Sequence, residues 1–280
     1  MASSSSALSM LSINVAPEIF AKFPQTKVCF ALIEVMVKSR KAIPKSQQRY
    51  LSDLKQKAAQ SVFVNKIDST NFEQVKVCES WDRVFNQMNA GNDKKSTIYY
   101  LLRRASAQME KLKEGKKADL GSISNFVDLY NCISLQQLTP MGALDLEKIQ
   151  RQICLRFGKE GETFVGLGSE GKFEPVRNTQ VVYADDKSVL TWLWNYRDAA
   201  HACVPMNSPE GEPSYILLFA DQAEESKDVS DPLNRPGDAS AAIEAAAKEI
   251  SNIGGRVLFT ACLDKDTPQS TLDLGKLIKK

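Results

Sequence analysis

The chain has 280 residues, of which 43% are hydrophobic and 25% charged, and its formal net charge is only +2. This length and composition favour one large or two small globular domains and exclude a disordered, collagen-like or coiled-coil protein. A charge so close to zero also excludes a polycation, so any affinity for nucleic acid must come from local clusters of basic residues.

The start of the chain and its cysteines indicate a cytoplasmic protein. Residues 1–12 are rich in serine and lack a basic segment, so we interpret them as a loose tail rather than a signal peptide. No apolar stretch reaches the roughly 18–20 residues of a membrane span. The six cysteines are scattered, without zinc-ligand spacing, and most lie in apolar runs. We therefore predict reduced, buried cysteines, no metal and no other cofactor.

The first half of the chain is predicted to be mainly helical. Residues 17–23 form a short helix that Pro24 ends, and the apolar run at 28–37 indicates a core strand. Apolar residues at helical spacing then predict helices at 44–64, 73–88 and 124–137, with another that Asp93 or Ser96 caps.

Beyond Pro140 the pattern changes to short strands, predicted at 153–157, 163–165, 180–183, 189–194, 215–220 and 257–263. An acidic loop at 222–237 and an alanine-rich helix at 239–253 precede the last strand. Helices followed by strands indicate an α+β fold rather than alternating βαβ units. Trp192 and Trp194 alternate, so both are expected on one strand face, either as core or as a stacking platform for a ligand.

Basic residues cluster at two places on the predicted helices. Between residues 38 and 66 the only acidic residue is Asp53, and a second basic cluster spans residues 94–117. These clusters are either solvated helix faces or a phosphate-binding surface. In the second case, the expected RNA contacts are Lys94, Lys95, Arg103 and Arg104.

Two stretches carry a resemblance to a known family. The first joins residues 99–105 to a helix in which Asn125, Asp128 and Asn131 recur every three positions, and then to Thr-Pro-Met-Gly-Ala-Leu-Asp at 139–145. The second joins Gln-Val-Val-Tyr-Ala-Asp at 180–185 to Leu-Trp-Asn-Tyr-Arg-Asp at 193–198. Together they resemble the tRNA-binding and editing (B3/B4) domain of the phenylalanyl-tRNA synthetase beta subunit, across about residues 98–220.

This resemblance implies a β-sandwich-like core of unusual topology with surrounding helices. It also implies four parts: a flexible tail at 1–12, an N-terminal α/β extension packed on the core at 13–95, a B3/B4-like domain at 96–235, and a C-terminal helix and strand that complete the fold at 236–280. A ligand cleft is expected between residues 125–145 and the strand around residues 192–201.

The editing residues of the family do not carry over directly. The histidine that follows Pro-Met in the family is Gly142 here, and a glutamate from a later Gly-Gly-Glu turn aligns near Arg197. The only histidine of this chain, His201, lies a few residues beyond. The candidate catalytic residues are therefore Arg197, Asn125 and His201.

The candidate substrate-binding residues come from the same two stretches: Asp128, Asn131, Gly142, Asp145, Trp194 and Asp198. Structural roles stay open for several of them. The helix residues can anchor the following loop, Asp145 can cap a short helix at 146–149, and Arg197 can form a structural pair with Asp198.

The function implied by the resemblance is an RNA-associated binding or quality-control module. Its ligand would be a tRNA, a (mis)aminoacylated tRNA or a small amino-acid-like molecule, and its reaction, if it is an enzyme, hydrolysis of a mischarged aminoacyl-tRNA ester. No ATP-binding pattern is present, so a complete synthetase is not expected. Two alternatives stay open: a small-molecule hydrolase or sensor without RNA binding, and a non-catalytic interaction protein.

Overall fold

A computed structural model of the chain describes residues 10–169, 171–225 and 232–278. The described part combines helices with two main sheets and a short hairpin, which confirms the predicted α+β class. The α-helices are α1 (Pro17–Lys22), α2 (Lys45–Val64), α3 (Lys76–Gln87), α4 (Thr97–Ser106), α5 (Met109–Lys113), α6 (Asn125–Gln137), α7 (Ala239–Glu249) and α8 (Leu274–Leu277). Short 3-10 helices lie at Phe72–Gln74, Leu146–Lys148, Pro232–Asn234 and Ile250–Ile253.

The strands follow in chain order. They are β1 (Met10–Val15), β2 (Lys27–Val35), β3 (Met141–Asp145), β4 (Gln152–Phe157), β5 (Thr163–Phe164), β6 (Glu174–Pro175), β7 (Val181–Ala184), β8 (Val189–Trp192), β9 (Arg197–Asp198), β10 (Ser214–Gln222), β11 (Arg256–Leu263) and β12 (Gln269–Asp273). The first sheet has the order β12-β1-β4-β7-β8-β9, the second has the order β11-β2-β10-β3, and β5 and β6 form the hairpin.

The first sheet is mixed because β1 pairs antiparallel with β12 but parallel with β4. From β4 the sheet continues antiparallel through β7 and β8 to β9. In β1, the side chains of Leu11, Ile13 and Val15 are buried and alternate with more exposed ones. This period of two is typical of a strand with one face on the core.

The second sheet is antiparallel throughout, and its strand β2 lies between β10 and β11. Helix α7 packs against β2 and β10. The ring of Tyr183 in the first sheet packs on that of Phe219 in β10, with centroids 5.0 Å apart. Because both faces of the second sheet are covered, its central strands are apolar along almost their whole length. The two sheets thus form the predicted sandwich-like core.

The three ranges predicted as extension, B3/B4-like domain and C-terminal completion all contribute neighbouring strands to the second sheet. β2 comes from the first range, β10 and β3 from the second, and β11 from the third. Hydrogen bonds along these strands therefore join the three parts of the chain into one core.

Three predictions about elements need correction. Residues 10–12 of the predicted tail belong to β1. Strand β12 and helix α8 follow the strand that was predicted to be last. The strand predicted at 189–194 ends at Trp192. Residues 1–9 of the predicted tail and 226–231 of the predicted acidic loop lie outside the described residues.

The prediction of six reduced cysteines is wrong for one pair. Cys29 on β2 lies directly opposite Cys262 on β11, and the two form a disulfide with a Cα–Cα distance of 3.9 Å. The two cysteines are 233 residues apart in the sequence, so no local pattern predicts that they pair. The pairing follows from the register of β2 and β11. Disulfides are uncommon in a reducing cytoplasm, so this one does not support the predicted cytoplasmic localisation. That localisation stays a prediction. Among the described residues, no helix is long and apolar enough to cross a membrane.

Replacing Cys262 with serine should lower the free energy of unfolding by about 2–4 kcal/mol in oxidising buffer, because the cross-link restricts the unfolded chain. Urea denaturation with and without dithiothreitol measures this. The parent protein should lose the same stability on reduction, whereas C262S should not respond to reductant. Cys203→Ser, which removes a cysteine outside the disulfide, is the control, and it should lose as much stability on reduction as the parent protein. A parent protein that is insensitive to reductant would contradict the disulfide.

Candidate functional site

A small polar cavity lies between the two sheets, with β3 and β10 on one side and β7, β8 and the turn after β8 on the other. Its volume of about 20 Å³ admits one small polar group the size of a water molecule or an ammonium. Apolar side chains of Met141 and Phe219 form part of its wall. Its polar lining consists of Thr97, Tyr183, Thr191, Asn195, Asp198 and Asp221.

The turn after β8 has a backbone conformation that few residues adopt. Leu193 and Trp194 have φ angles of 53° and 65°, in the left-handed region that is unfavourable for side chains other than glycine. Trp194 is fully buried, and its backbone N–H donates to Val181 O at 2.7 Å. Its ring packs edge-on against Trp81 at 5.1 Å. This packing holds the turn in place and points Asn195 toward the cavity.

The same turn overturns the expectation that Trp192 and Trp194 share one strand face. The Trp192 ring packs near Phe164 and Tyr196, whereas the Trp194 ring packs against Trp81 and Phe23. Simple alternation failed because the chain leaves the extended conformation at residue 193.

Several polar atoms of the cavity are buried without a hydrogen-bond partner. They are Thr97 Oγ1 and both side-chain atoms, Oδ1 and Nδ2, of Asn195, whereas the Trp194 indole N–H interacts with Asp221. Asn195 is only 5% exposed. Buried polar groups in proteins are nearly always paired, and leaving one unpaired costs roughly 1–3 kcal/mol. The cavity therefore offers donors and an acceptor to a polar ligand.

Two carboxyl groups complete the cavity, and their pKa values are raised. Burial raises the pKa of Asp221 to about 7, against the opposing effects of the Tyr183 hydroxyl, which donates to Asp221 Oδ1, and of the nearby Trp194 indole N–H. Burial raises the pKa of Asp198 to about 6, although Thr191 donates a hydrogen bond to it at 3.0 Å. Negative charge on Asp198 raises the pKa of Asp221 further. Near neutral pH this pair can therefore hold a proton, release one or accept a cation.

Gly142 leaves the Asp198 carboxylate open toward the cavity. A Cβ atom built on Gly142 would lie 3.8 Å from Asp198 Oδ1, which is ordinary van der Waals contact. The position at which the resembling family has a histidine thus faces a carboxylate here. Of the predicted substrate-binding residues, the structure brings Gly142, Trp194 and Asp198 together in this cavity.

The other predicted substrate-binding residues lie elsewhere. Asp128 accepts hydrogen bonds from Lys55 Nζ at 2.7 Å and from Ile123 N at 2.8 Å, and it lines a separate hollow together with Asn131. Asp145 accepts from Glu147 N and so caps the 3-10 helix at Leu146–Lys148, as the capping interpretation proposed.

The three predicted catalytic residues do not line the cavity. Asn125 is fully buried, and it accepts from Lys38 N at 2.8 Å and donates to Met36 O at 2.9 Å. Arg197 donates to Leu167 O at 2.6 Å, and His201 Nε2 lies 2.9 Å from Ser188 Oγ. Asn125 therefore anchors the start of α6 to the segment after β2, and not the loop that follows the helix, as was expected. Catalysis by the three stays a prediction without support from this geometry.

The four predicted RNA contacts all have partners within the chain. Lys94 pairs with Asp93 at 3.0 Å, and Lys95 pairs with Asp82 at 2.6 Å. The other two make contacts of a different kind: Arg103 lies over the ring of Tyr100, and Arg104 Nη1 donates to Leu120 O at 3.1 Å. These contacts leave the four side chains with less charge and fewer hydrogen-bond donors available to bind phosphate.

Sequence reasoning missed five polar residues of the cavity, Thr97, Tyr183, Thr191, Asn195 and Asp221. Asp221 follows directly after the apolar run 215–220, and a charged residue that prolongs a buried strand is a signal that can be read from sequence. Thr97 opens α4 and has no such signal. Among the described residues, no group of three His, Cys, Asp or Glu side chains is arranged to hold a metal ion.

The family comparison covers most of the segments quoted from the sequence. Residues 103–210 match the B3/4 domain family model. A stretch of 71 residues, 25% of this chain, is 32% identical to the phenylalanine–tRNA ligase beta subunit of Fusobacterium nucleatum, of which it covers 9%. An N-terminal fragment of the phenylalanyl-tRNA synthetase beta subunit from Pyrococcus horikoshii superposes with a TM-score of 0.35 and 11% identity, over 48% of this chain and 41% of that chain. The predicted resemblance is confirmed by the family match.

Replacing Asp221 with asparagine should alter how stability depends on pH. As pH rises from about 4 to 7, an unfolded aspartate, with a pKa near 3.8, loses its proton, while folded Asp221 keeps its proton until about pH 7. The contribution of Asp221 to the stability of the parent protein therefore falls across this window. D221N lacks this titrating group. The free energy of unfolding of D221N minus that of the parent protein should therefore rise by up to about 4 kcal/mol between pH 4 and 7.

Urea denaturation at pH 4, 5.5 and 7 tests this expectation. An exposed carboxyl variant, Asp266→Asn, serves as the control. If D221N and the parent show parallel pH profiles, Asp221 does not keep its proton in the folded protein.

Proposed function

We propose that this chain, which carries a B3/4-like domain over residues 103–210, recognises the aminoacyl end of a tRNA and places the amino group of the amino acid in the cavity between the sheets. The single observation that carries the proposal is the set of unpaired buried polar atoms beside two carboxyl groups. The relative that matches part of this chain is named as a tRNA ligase subunit. RNA association is therefore part of the proposal.

An aminoacyl ester has the groups that this cavity complements. Its ammonium can donate charge-assisted hydrogen bonds to Asp198 and Asp221. Its carbonyl oxygen can accept from the Asn195 amide or the Thr97 hydroxyl, which are unpaired in the structure. Because the cavity holds only one small group, the ammonium alone fits it as it stands, and the ester carbonyl, the side chain and the ribose of the ligand require it to widen.

We extend the proposal from binding to hydrolysis of the ester. Asp198 is partly exposed at the edge of the cavity, and with a pKa of about 6 it is mostly ionised at neutral pH. An ionised carboxylate at that position can take a proton from an attacking water, while the amide and hydroxyl donors stabilise the oxyanion. In this scheme Asp198 takes the proton of the water that adds to the ester carbonyl, and Asn195 and Thr97 bind the oxyanion. The tetrahedral intermediate then breaks its bond to the ribose oxygen, which accepts the proton from Asp198, and the free amino acid leaves.

A specific observation favours one alternative, a small-molecule sensor or hydrolase without RNA binding. The cations predicted to contact RNA, Lys94 and Lys95 above all, already form ion pairs within the chain. A free amino acid ester or amide would satisfy the same cavity. The two functions differ in whether the RNA part of the ligand adds affinity.

Asp198→Asn and Asn195→Ala should each weaken binding of a non-hydrolysable 3′-aminoacylamino-adenosine by about tenfold or more, because each removes a buried polar partner of the ligand. Isothermal titration calorimetry measures the dissociation constants. His201→Gln is the matched control, since His201 is exposed and does not line the cavity. Equal affinities for the parent protein, D198N and N195A would refute recognition in this cavity.

The same proteins should then be compared on mischarged aminoacyl-tRNA. Release of the amino acid should exceed the rate without protein and should be lost in D198N. Binding of intact aminoacyl-tRNA should be tighter than that of the adenosine analogue and should weaken with added salt. If the tRNA adds no affinity, the small-molecule alternative replaces the proposal.

A further inference from the structure

A second and larger hollow lies between α2 and the loop at residues 117–122, and its volume is about 520 Å³. This volume lies within the range of small-molecule sites in proteins. Three basic residues line it, Arg40, Lys55 and Lys117, together with polar side chains of α2 such as Ser52 and Gln56. It is separate from the cavity between the sheets, with which it shares no lining residue.

Hydrogen bonds hold the walls of this hollow in place. The Gln56 side chain donates to Ala118 O and accepts from Ala118 N, both at 2.9 Å, and so fixes the loop to α2. On the other side, Arg40 N donates to Ile123 O at 3.1 Å, beside a β-bridge between Ser39 and Ser124. The hollow is therefore shaped by specific contacts on both sides.

The charges around the hollow favour an anion. The buried carboxylate at its wall, Asp128, is neutralised by Lys55 at 2.7 Å and accepts further hydrogen bonds from Ser122 and Ile123. Asp119 accepts from Gly121 N, and the lining as a whole has three basic residues against two acidic ones, Asp119 and Asp128. Within the described part of the chain, the side chains of Arg40 and Lys117 form no ion pair or hydrogen bond, and both residues are exposed.

We propose that this hollow is a phosphate-binding site, in which the Arg40 guanidinium and the Lys117 ammonium bind the phosphate oxygens. Guanidinium and ammonium groups donate strong charge-assisted hydrogen bonds to phosphate. The phosphate belongs either to an RNA backbone or to a small phosphorylated molecule. The inference does not rest on the function proposed for the cavity between the sheets, because it uses different residues.

The test measures binding of inorganic phosphate, of tripolyphosphate and of a single-stranded RNA oligonucleotide by calorimetry at low salt. Arg40→Gln and Lys117→Gln should each weaken binding of the probe that the parent protein prefers by about tenfold, since each removes a charged contact. Lys265→Gln is the matched control, because Lys265 is an exposed lysine in the turn between β11 and β12. Both test residues are exposed, so thermal denaturation should show an unchanged midpoint for all three variants.

The outcomes separate the two sources of phosphate. Preference for tripolyphosphate or inorganic phosphate indicates a small ligand. Preference for the oligonucleotide, with a salt dependence that becomes shallower in each variant, indicates an RNA backbone. The proposal is overturned if no probe binds the parent protein at millimolar concentration, or if R40Q and K117Q bind like K265Q. Asp198→Asn should leave phosphate binding unchanged, because Asp198 does not line this hollow. A negative result for phosphate binding therefore does not bear on recognition in the cavity between the sheets.

Discussion

The hydrogen bond from the Tyr183 hydroxyl to the Asp221 carboxyl joins the two sheets at the cavity. Tyr183 belongs to β7 of the first sheet and Asp221 to β10 of the second, and the Tyr183 ring also packs on Phe219. A phenol and a carboxyl that are both buried must bond to each other or to water, because leaving either unpaired is costly. This contact therefore fixes the spacing of the sheets at the point where the cavity lies.

The cavity concentrates several unfavourable features in a small volume. The carboxyl of Asp221 is buried, and Leu193 and Trp194 have left-handed backbone conformations. The side-chain amide of Asn195 is buried without a hydrogen-bond partner. Each costs on the order of 1–3 kcal/mol, and the surrounding apolar packing, including the edge-on contact between Trp81 and Trp194, offsets them. A concentration of such costs at one place is typical of a functional site rather than of a core chosen only for stability.

The sequence indicated the elements well where the pattern was long and periodic, as in α2 and α6, and poorly where elements were short. Strand β12 was missed because Gln-Ser-Thr-Leu-Asp buries mainly one side chain, Leu272. Strand β1 was missed because it follows the serine-rich segment. Pairing between distant strands, such as that of Cys29 with Cys262, depends on tertiary register and has no local signal.

The candidate site was predicted in part for a similar reason. Gly142, Trp194 and Asp198 belong to two short motifs, and the sheets bring these motifs together. Asp128 and Asn131 were grouped with them because they are close in sequence. Helical geometry instead directs them toward α2 and a separate hollow that both residues line. Thr97 and Asp221 come from segments outside both motifs, so only the fold reveals their part in the cavity.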